Sequence, residues 1–182
     1  MNEYTSLAAN AAAGATTIIV ANSNLNANLR FPGNLATGDL IMIIQLQGVT
    51  ISARDSNQFD PFPAPRDSSW GMINNYYNCG NWEFGEVYNV PNGTSITLDC
   101  PLKNNYTSAG KVVVVRVPRY SSLTINAGSI TCDTWNGTIG GICAIEVENN
   151  TIINAGGSID ITGRGFRGAA LLENLTTNGA NE

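Results

Sequence analysis

A chain of 182 residues, 43% hydrophobic and only 13% charged, is long enough to bury a core and lacks the composition of a disordered segment. Its net charge of −5, with 9 Lys and Arg scattered among 14 acidic residues, excludes the basic stripe that nucleic acid requires. The absence of histidine excludes Ser-His-Asp and Cys-His catalysis and weakens any zinc site.

Polarity comes instead from Asn, Thr, Ser and 19 Gly, which suit turns and strand faces better than helices. The run Thr16-Thr17-Ile18-Ile19-Val20, just behind Gly14, predicts a strand. The alanine-rich residues 8–13 lie too close to it to support a long helix. Residues 22–34 are Asn-rich, with Leu25, Leu29 and Phe31 as anchors, and predict a loop containing one helical turn. Gly38-Asp39 is a turn signal. After it, Leu40-Ile41-Met42-Ile43-Ile44-Gln45-Leu46-Gln47 begins apolar and ends alternating, as a central strand emerging at an edge does. Residues 52–75 predict a long loop, because Pro61, Pro63 and Pro65 exclude a central strand or helix interior.

Residues 82–90 predict the next strand, Pro91-Asn92-Gly93 a tight turn, and residues 94–98 the returning arm of a hairpin. Lys111-Val112-Val113-Val114-Val115-Arg116-Val117 is a further strand, ended by Pro118, which has no N–H to give. Beyond it the pattern changes. Thr124-Ile125-Asn126-Ala127-Gly128-Ser129-Ile130 returns as Ile152-Ile153-Asn154-Ala155-Gly156-Gly157-Ser158-Ile159, with the two Asn 28 residues apart. Such a recurrence is the signature of stacked β-rungs. Leu123 and Ile125, Ile145 and Val147, and Ile159 and Ile161 alternate with polar residues, giving one inward and one wet face.

The expected architecture is therefore all-β. A small β-barrel or sandwich domain spans residues 1–118, carrying the Pro-rich loop at 52–75. The first rungs of a right-handed parallel β-solenoid follow over residues 119–182. A stack of this kind needs about three or more repeats and a cap, so two visible repeats predict the opening section of a longer protein. Trp135-Asn136-Gly137-Thr138-Ile139-Gly140-Gly141 reads as a glycine-rich turn with an aromatic. Gly163-Arg164-Gly165-Phe166-Arg167-Gly168 reads as another, its Phe acting as a plug, and residues 169–175 as a short helix on the solenoid's side.

Candidate chemistry is sparse. Glu146 and Glu148 share a strand face and are the one carboxylate pair that a β-helical glycosidase or lyase reading could use; solvated charges are the simpler expectation. No catalytic residue, metal site or cofactor is assigned; oxygen ligands that suit calcium are abundant, with no D-x-D-x-D-G loop to anchor it. Cys79, Cys100, Cys132 and Cys143 form no CxxC; sequence-local pairing predicts Cys79–Cys100 and Cys132–Cys143 bridges, with buried thiols as the alternative. Trp70, Tyr76, Tyr77, Trp82 and Phe84 cluster near the Pro-rich loop. They form either a ligand-stacking surface for glycans or peptides, or the packing that holds this loop to the barrel. No stretch approaches the roughly 18 apolar residues of a membrane span, and no signal peptide opens the chain.

In order, Gly14 to Val20, Gly38 to Gly48, Asn78-Cys79-Gly80-Asn81-Trp82-Glu83-Phe84, Leu98-Asp99-Cys100-Pro101-Leu102 and Val115-Arg116-Val117-Pro118-Arg119-Tyr120 resemble a known pattern. With the two glycine-rich turns, the series resembles the N-terminal region of large Bacteroidetes surface adhesins exported by the type IX secretion system, some serving gliding motility (the SprB type). The resemblance implies a secreted, cell-surface, non-catalytic module with no cofactor. Its partners would be the downstream parts of the same polypeptide, the secretion and motility machinery, and surface glycans. Two other readings stand beside it: a carbohydrate-binding module, and a fragment of a β-helical polysaccharide-degrading enzyme or phage tail spike.

Overall fold

Four consecutive valines, Val112, Val113, Val114 and Val115, put β-branched side chains on both faces of one strand, and both faces are buried. That strand, β8 (Val112–Val117), lies inside a six-stranded antiparallel sheet in the computed structural model, which describes residues 1–51 and 72–166. The other members are β1 (Glu3–Ser6), β2 (Thr17–Ile19), β3 (Leu40–Gln45), β6 (Trp82–Asn92) and β7 (Ser95–Leu98). Their order is β1-β8-β3-β6-β7-β2. The two outer strands meet beyond their ends at a Leu7–Val20 bridge, so the sheet curls back on itself. A small pair, β4 (Thr50–Ile51) with β5 (Ile73–Asn75), stands apart. Among the described residues there is no α-helix, only a 3-10 turn at Ser108–Gly110.

The concave side of the sheet holds the main core, with Ile18, Ile41, Ile43, Ile96, Val112 and Val114 each at most 1% exposed. Most polar groups around it are paired, the Nε of Arg116 being a buried exception. Gln45 donates to the carbonyls of Gln47 and Tyr77 and accepts from the Thr107 amide, each at 2.8 Å. Glu83 accepts from the Tyr106 hydroxyl at 3.0 Å and from the amides of Lys103 and Asn104. Arg116 reaches Asp39 at 2.8 Å and the Gly33 carbonyl at 2.7 Å, with Phe31 stacked on its guanidinium at 4.0 Å. These contacts pin the loop at residues 22–39 over one end of the sheet.

The loop contains no helical turn. Leu25 and Leu29 adopt φ values of 43° and 55°, the left-handed region, which a right-handed turn cannot include. The hairpin also differs from expectation, because β6 continues through Pro91 to Asn92 and the turn falls at Gly93 and Thr94. Pro91 is tolerated because pairing with β7 is irregular between Asn89 and Asn92, so no ladder hydrogen bond is demanded there. The Pro-rich loop over 52–71 and the helix expected at 169–175 lie outside the described residues.

From Arg119 onward the pairing becomes parallel. β9 (Arg119–Tyr120), β10 (Leu123–Ile125) and β11 (Gly128–Ile130) make one rung. β12 (Glu146–Val147), β13 (Thr151–Ile153) and β14 (Gly157–Ile159) make the next. Each strand pairs in parallel with its counterpart: Arg119 with Glu146, Thr124 with Ile152, and Ser129 with Ser158. The structure is thus all-β, a curled antiparallel sheet followed by parallel solenoid rungs. Asn154 donates to the Asn126 carboxamide at 2.8 Å, so the repeated Asn forms a ladder at the corner. The second rung carries one extra residue at this corner, and two adjacent glycines absorb it. Gly156 takes a φ of 87°, while a side chain on Gly157 would run into the Ile125 carbonyl.

The two glycines separate two physical costs. Gly156→Ala, with open space but a left-handed backbone, is expected to cost about 1–2 kcal/mol. Gly157→Ala should cost more than that, because the rung spacing itself must widen. Urea unfolding of the two variants checks the order; equal costs would contradict the close approach of the rungs.

Candidate functional site

The convex face of the sheet is also apolar. Strand register lines up Tyr4, Val115, Met42 and Phe84 in one row across four strands, and Ser6, Val113, Ile44 and Trp82 in the next. Residues 131–145, the long connection between the two rungs, lie across part of this face. Trp135, 7% exposed, packs with Ile139 and Ile142 against Val113 and Val115. Phe166 closes on Trp135 edge-to-face, with centroids 5.2 Å apart, which places the expected aromatic plug. The Arg164 carbonyl accepts the Trp135 amide at 2.9 Å, and its guanidinium donates to the Cys132 carbonyl at 3.0 Å.

Polar contacts fix the same junction. Asn2 is fully buried and donates both to the Arg116 carbonyl at 3.0 Å and to the Ala144 carbonyl at 2.7 Å, while accepting the Ala144 amide at 3.1 Å. Tyr4 donates its hydroxyl to the Ile142 carbonyl. Arg30 forks onto Asp133 at 2.6 and 2.9 Å, which raises the guanidinium pKa further. Arg119 bridges Glu146 of β12 and Glu86 of β6, the latter at 3.0 Å. Burial, with Cys132 and Asp133 adding to it, pushes the Tyr4 hydroxyl well above its ordinary range.

Where the covering segment ends, the convex face is left open as a groove of about 430 Å³. Met42 and Ile44 form its floor, Trp82 and Phe84 one wall, and residues 142–145 the other. Trp82 is 55% and Phe84 50% exposed, and their rings meet edge-to-face with centroids 5.9 Å apart. Of the aromatics expected to stack a ligand, Trp82 lines this groove. Tyr76 and Tyr77 are exposed in the turn after β5, where both offer backbone carbonyls to the fold, and Trp70 lies outside the described residues. Phe84, rather than either tyrosine, is the partner that the structure gives Trp82.

All four cysteines are free thiols, so neither expected bridge is formed. Cys79 donates to the Leu46 carbonyl at 3.3 Å and Cys100 is exposed. Cys132 is buried, and burial followed by the charge of Cys132 raises the Cys143 thiol pKa. Glu146 is engaged by Arg119 and lines one open concavity together with Glu148. Among the described residues no group of three or more Cys, Asp or Glu is placed to hold a metal ion. No helix among them is long and apolar enough to cross a membrane.

No protein-family model matches the chain, and no curated protein matches it. Three tailspikes are among the solved structures that resemble it. Gp54 of Acinetobacter baumannii bacteriophage AP22, solved with A. baumannii capsular saccharide, is 14% identical with a TM-score of 0.38, over 88% of this chain and 19% of that one. The gp49 tailspike of Pseudomonas phage LKA1 is 18% identical, TM-score 0.37, over 72% and 20% respectively. The gp61 tailspike of Pseudomonas phage phi297 is 12% identical, TM-score 0.36, over 90% and 32%. The chain thus spans between a fifth and a third of these tailspike chains. Likeness at this level transfers neither activity nor ligand.

The raised Tyr4 pKa has a signed consequence. Folded Tyr4 keeps its proton where the unfolded chain, near its ordinary value of about 10, loses it. Stability is therefore intact below pH ~10 and falls as pH rises above it. Buried Tyr106, raised chiefly by burial and by Glu83, acts in the same direction. Urea midpoints at pH 8 and 11 should show the drop, and Tyr4→Phe should reduce it without abolishing it.

Proposed function

We propose that this chain is a non-catalytic structural and adhesive module at the N-terminal end of a large secreted cell-surface adhesin. The curled sheet acts as a cap for a β-solenoid stalk, and the rungs set the register for those stacked on them. The observation that carries the reading is the junction at Asn2, which joins the sheet to the covering segment through three buried hydrogen bonds.

A rung of two- and three-residue strands cannot bury its own apolar face, and needs a neighbour on each side. On the side of the sheet, Trp135, Ile139 and Ile142 of the connection between the rungs pack on the convex face. Above, Ile153 and Ile159 stack in register over Ile125 and Ile130 yet remain 50% and 46% exposed. A further rung in the same register would cover both. Carboxylates at the junction are held by arginines, with Asp133 on Arg30 and Glu146 on Arg119, which suits a structural role. Type IX export and service in attachment or gliding belong to the same proposal and rest on the adhesin resemblance.

Protease treatment of intact native cells, followed by an immunoblot against this chain, tests the reading. The expected result is a very large band that disappears when intact cells are digested. A protected band of 19.3 kDa, the mass of this chain alone, would overturn it.

A further inference from the structure

The groove on the convex face lies beside the capping junction, its wall fixed at Ala144 by Asn2. Its floor and walls are Met42, Ile44, Trp82, Phe84 and residues 142–145, which form a shallow, open depression of about 430 Å³. Both walls run on into charge. Two residues beyond Phe84 on β6 stands Glu86, one residue beyond Ile145 stands Glu146, and Arg119 joins the two carboxylates. The groove thus carries two aromatic rings on one wall, and beyond its lining two carboxylates share one guanidinium.

We infer that this groove binds a neutral glycan, with Trp82 and Phe84 stacking on the apolar C–H faces of sugar rings. Glu86 and Glu146 would accept hydrogen bonds from hydroxyls at its end. Two observations select this occupant. Two large aromatic rings stand half-exposed and at right angles to one another beside the edge of the covering segment. An aromatic ring flanked by acceptors matches a ligand that presents an apolar face and a belt of hydroxyls. Charge then narrows the class, because the excess carboxylate at the groove and the net charge of −5 repel sulfated, uronic or phosphorylated chains. A lipid tail or a wholly apolar segment would leave the carboxylates without donors.

The inference rests on the adhesive half of the proposed function and names what is held. Surface exposure of the native protein is read by protease digestion and ligand binding by purified chain, so each can fail alone. The test is an array of neutral and acidic oligosaccharides probed with the full chain, with hits confirmed by titration calorimetry. The expected result is saturable binding of neutral members, weakened about tenfold or more by Trp82→Ala and by Phe84→Ala. Both side chains are half-exposed, so melting temperatures should stay near that of the parent and separate lost binding from lost fold. Glu86→Gln should weaken binding less than either and should not create binding to acidic glycans. Three outcomes would overturn the inference: no neutral glycan bound, binding that survives both aromatic substitutions, or a groove that instead captures peptide or a second copy of the chain.

Discussion

One buried side chain ties the two halves of this molecule together. Asn2 has its carboxamide excluded from water and divided between the Arg116 carbonyl on β8 and both backbone groups of Ala144. An asparagine in that position imitates a piece of strand, satisfying one edge while holding an irregular segment at a fixed distance. Leaving such groups unpaired costs about 1–3 kcal/mol each. The covering segment, with few regular hydrogen bonds of its own, is therefore positioned by the sheet. Tyr4, Arg30 and the Met1 amino group, which donates to the Thr131 carbonyl at 3.1 Å, extend the same seam.

Everything past residue 118 depends on that positioning. The rungs are short, parallel and open to solvent on their outer faces, and parallel pairing is the weaker geometry per residue. What they have instead is repetition: an Asn ladder, an isoleucine stack and a pair of glycines that lets the backbones close up. A solenoid's stability is approximately the sum of its rungs and the interfaces between them, so the first interface decides whether the rest begins. Here that interface is the convex sheet face under Trp135.

Much of the fold was legible in the chain. Strands β3, β6, β7 and β8 show as β-branched or alternating runs, and the parallel rungs show as a phrase written twice. β1 was not legible, because its inward residues Glu3 and Thr5 are polar and give no apolar alternation; it becomes a strand by pairing with β8. The helical turn expected at 22–34 failed because Asn-rich composition does not reveal which residues go left-handed. The thiols show why spacing alone cannot assign disulfides: Cys79 is turned to a backbone carbonyl at Leu46. For the candidate site, Trp82 and Phe84 were visible as aromatics. Their setting was not, since the groove is assembled from β3, β6 and a segment some 60 residues further on, and its charged end from Glu86, Arg119 and Glu146.

The sheet holds the rungs through the Asn2 junction. Hydrogen exchange on the full chain, comparing the parent with Asn2→Ala, tests it most directly. The amides of Gly128 and Asn154, bonded to the Gly156 and Ile125 carbonyls, report on the rungs, and those of Ile41 and Val114 on the sheet. Protection of the rung amides is expected to fall about tenfold or more while the sheet amides change little. Rung amides that keep their full protection in Asn2→Ala would show instead that the stack stands without its cap.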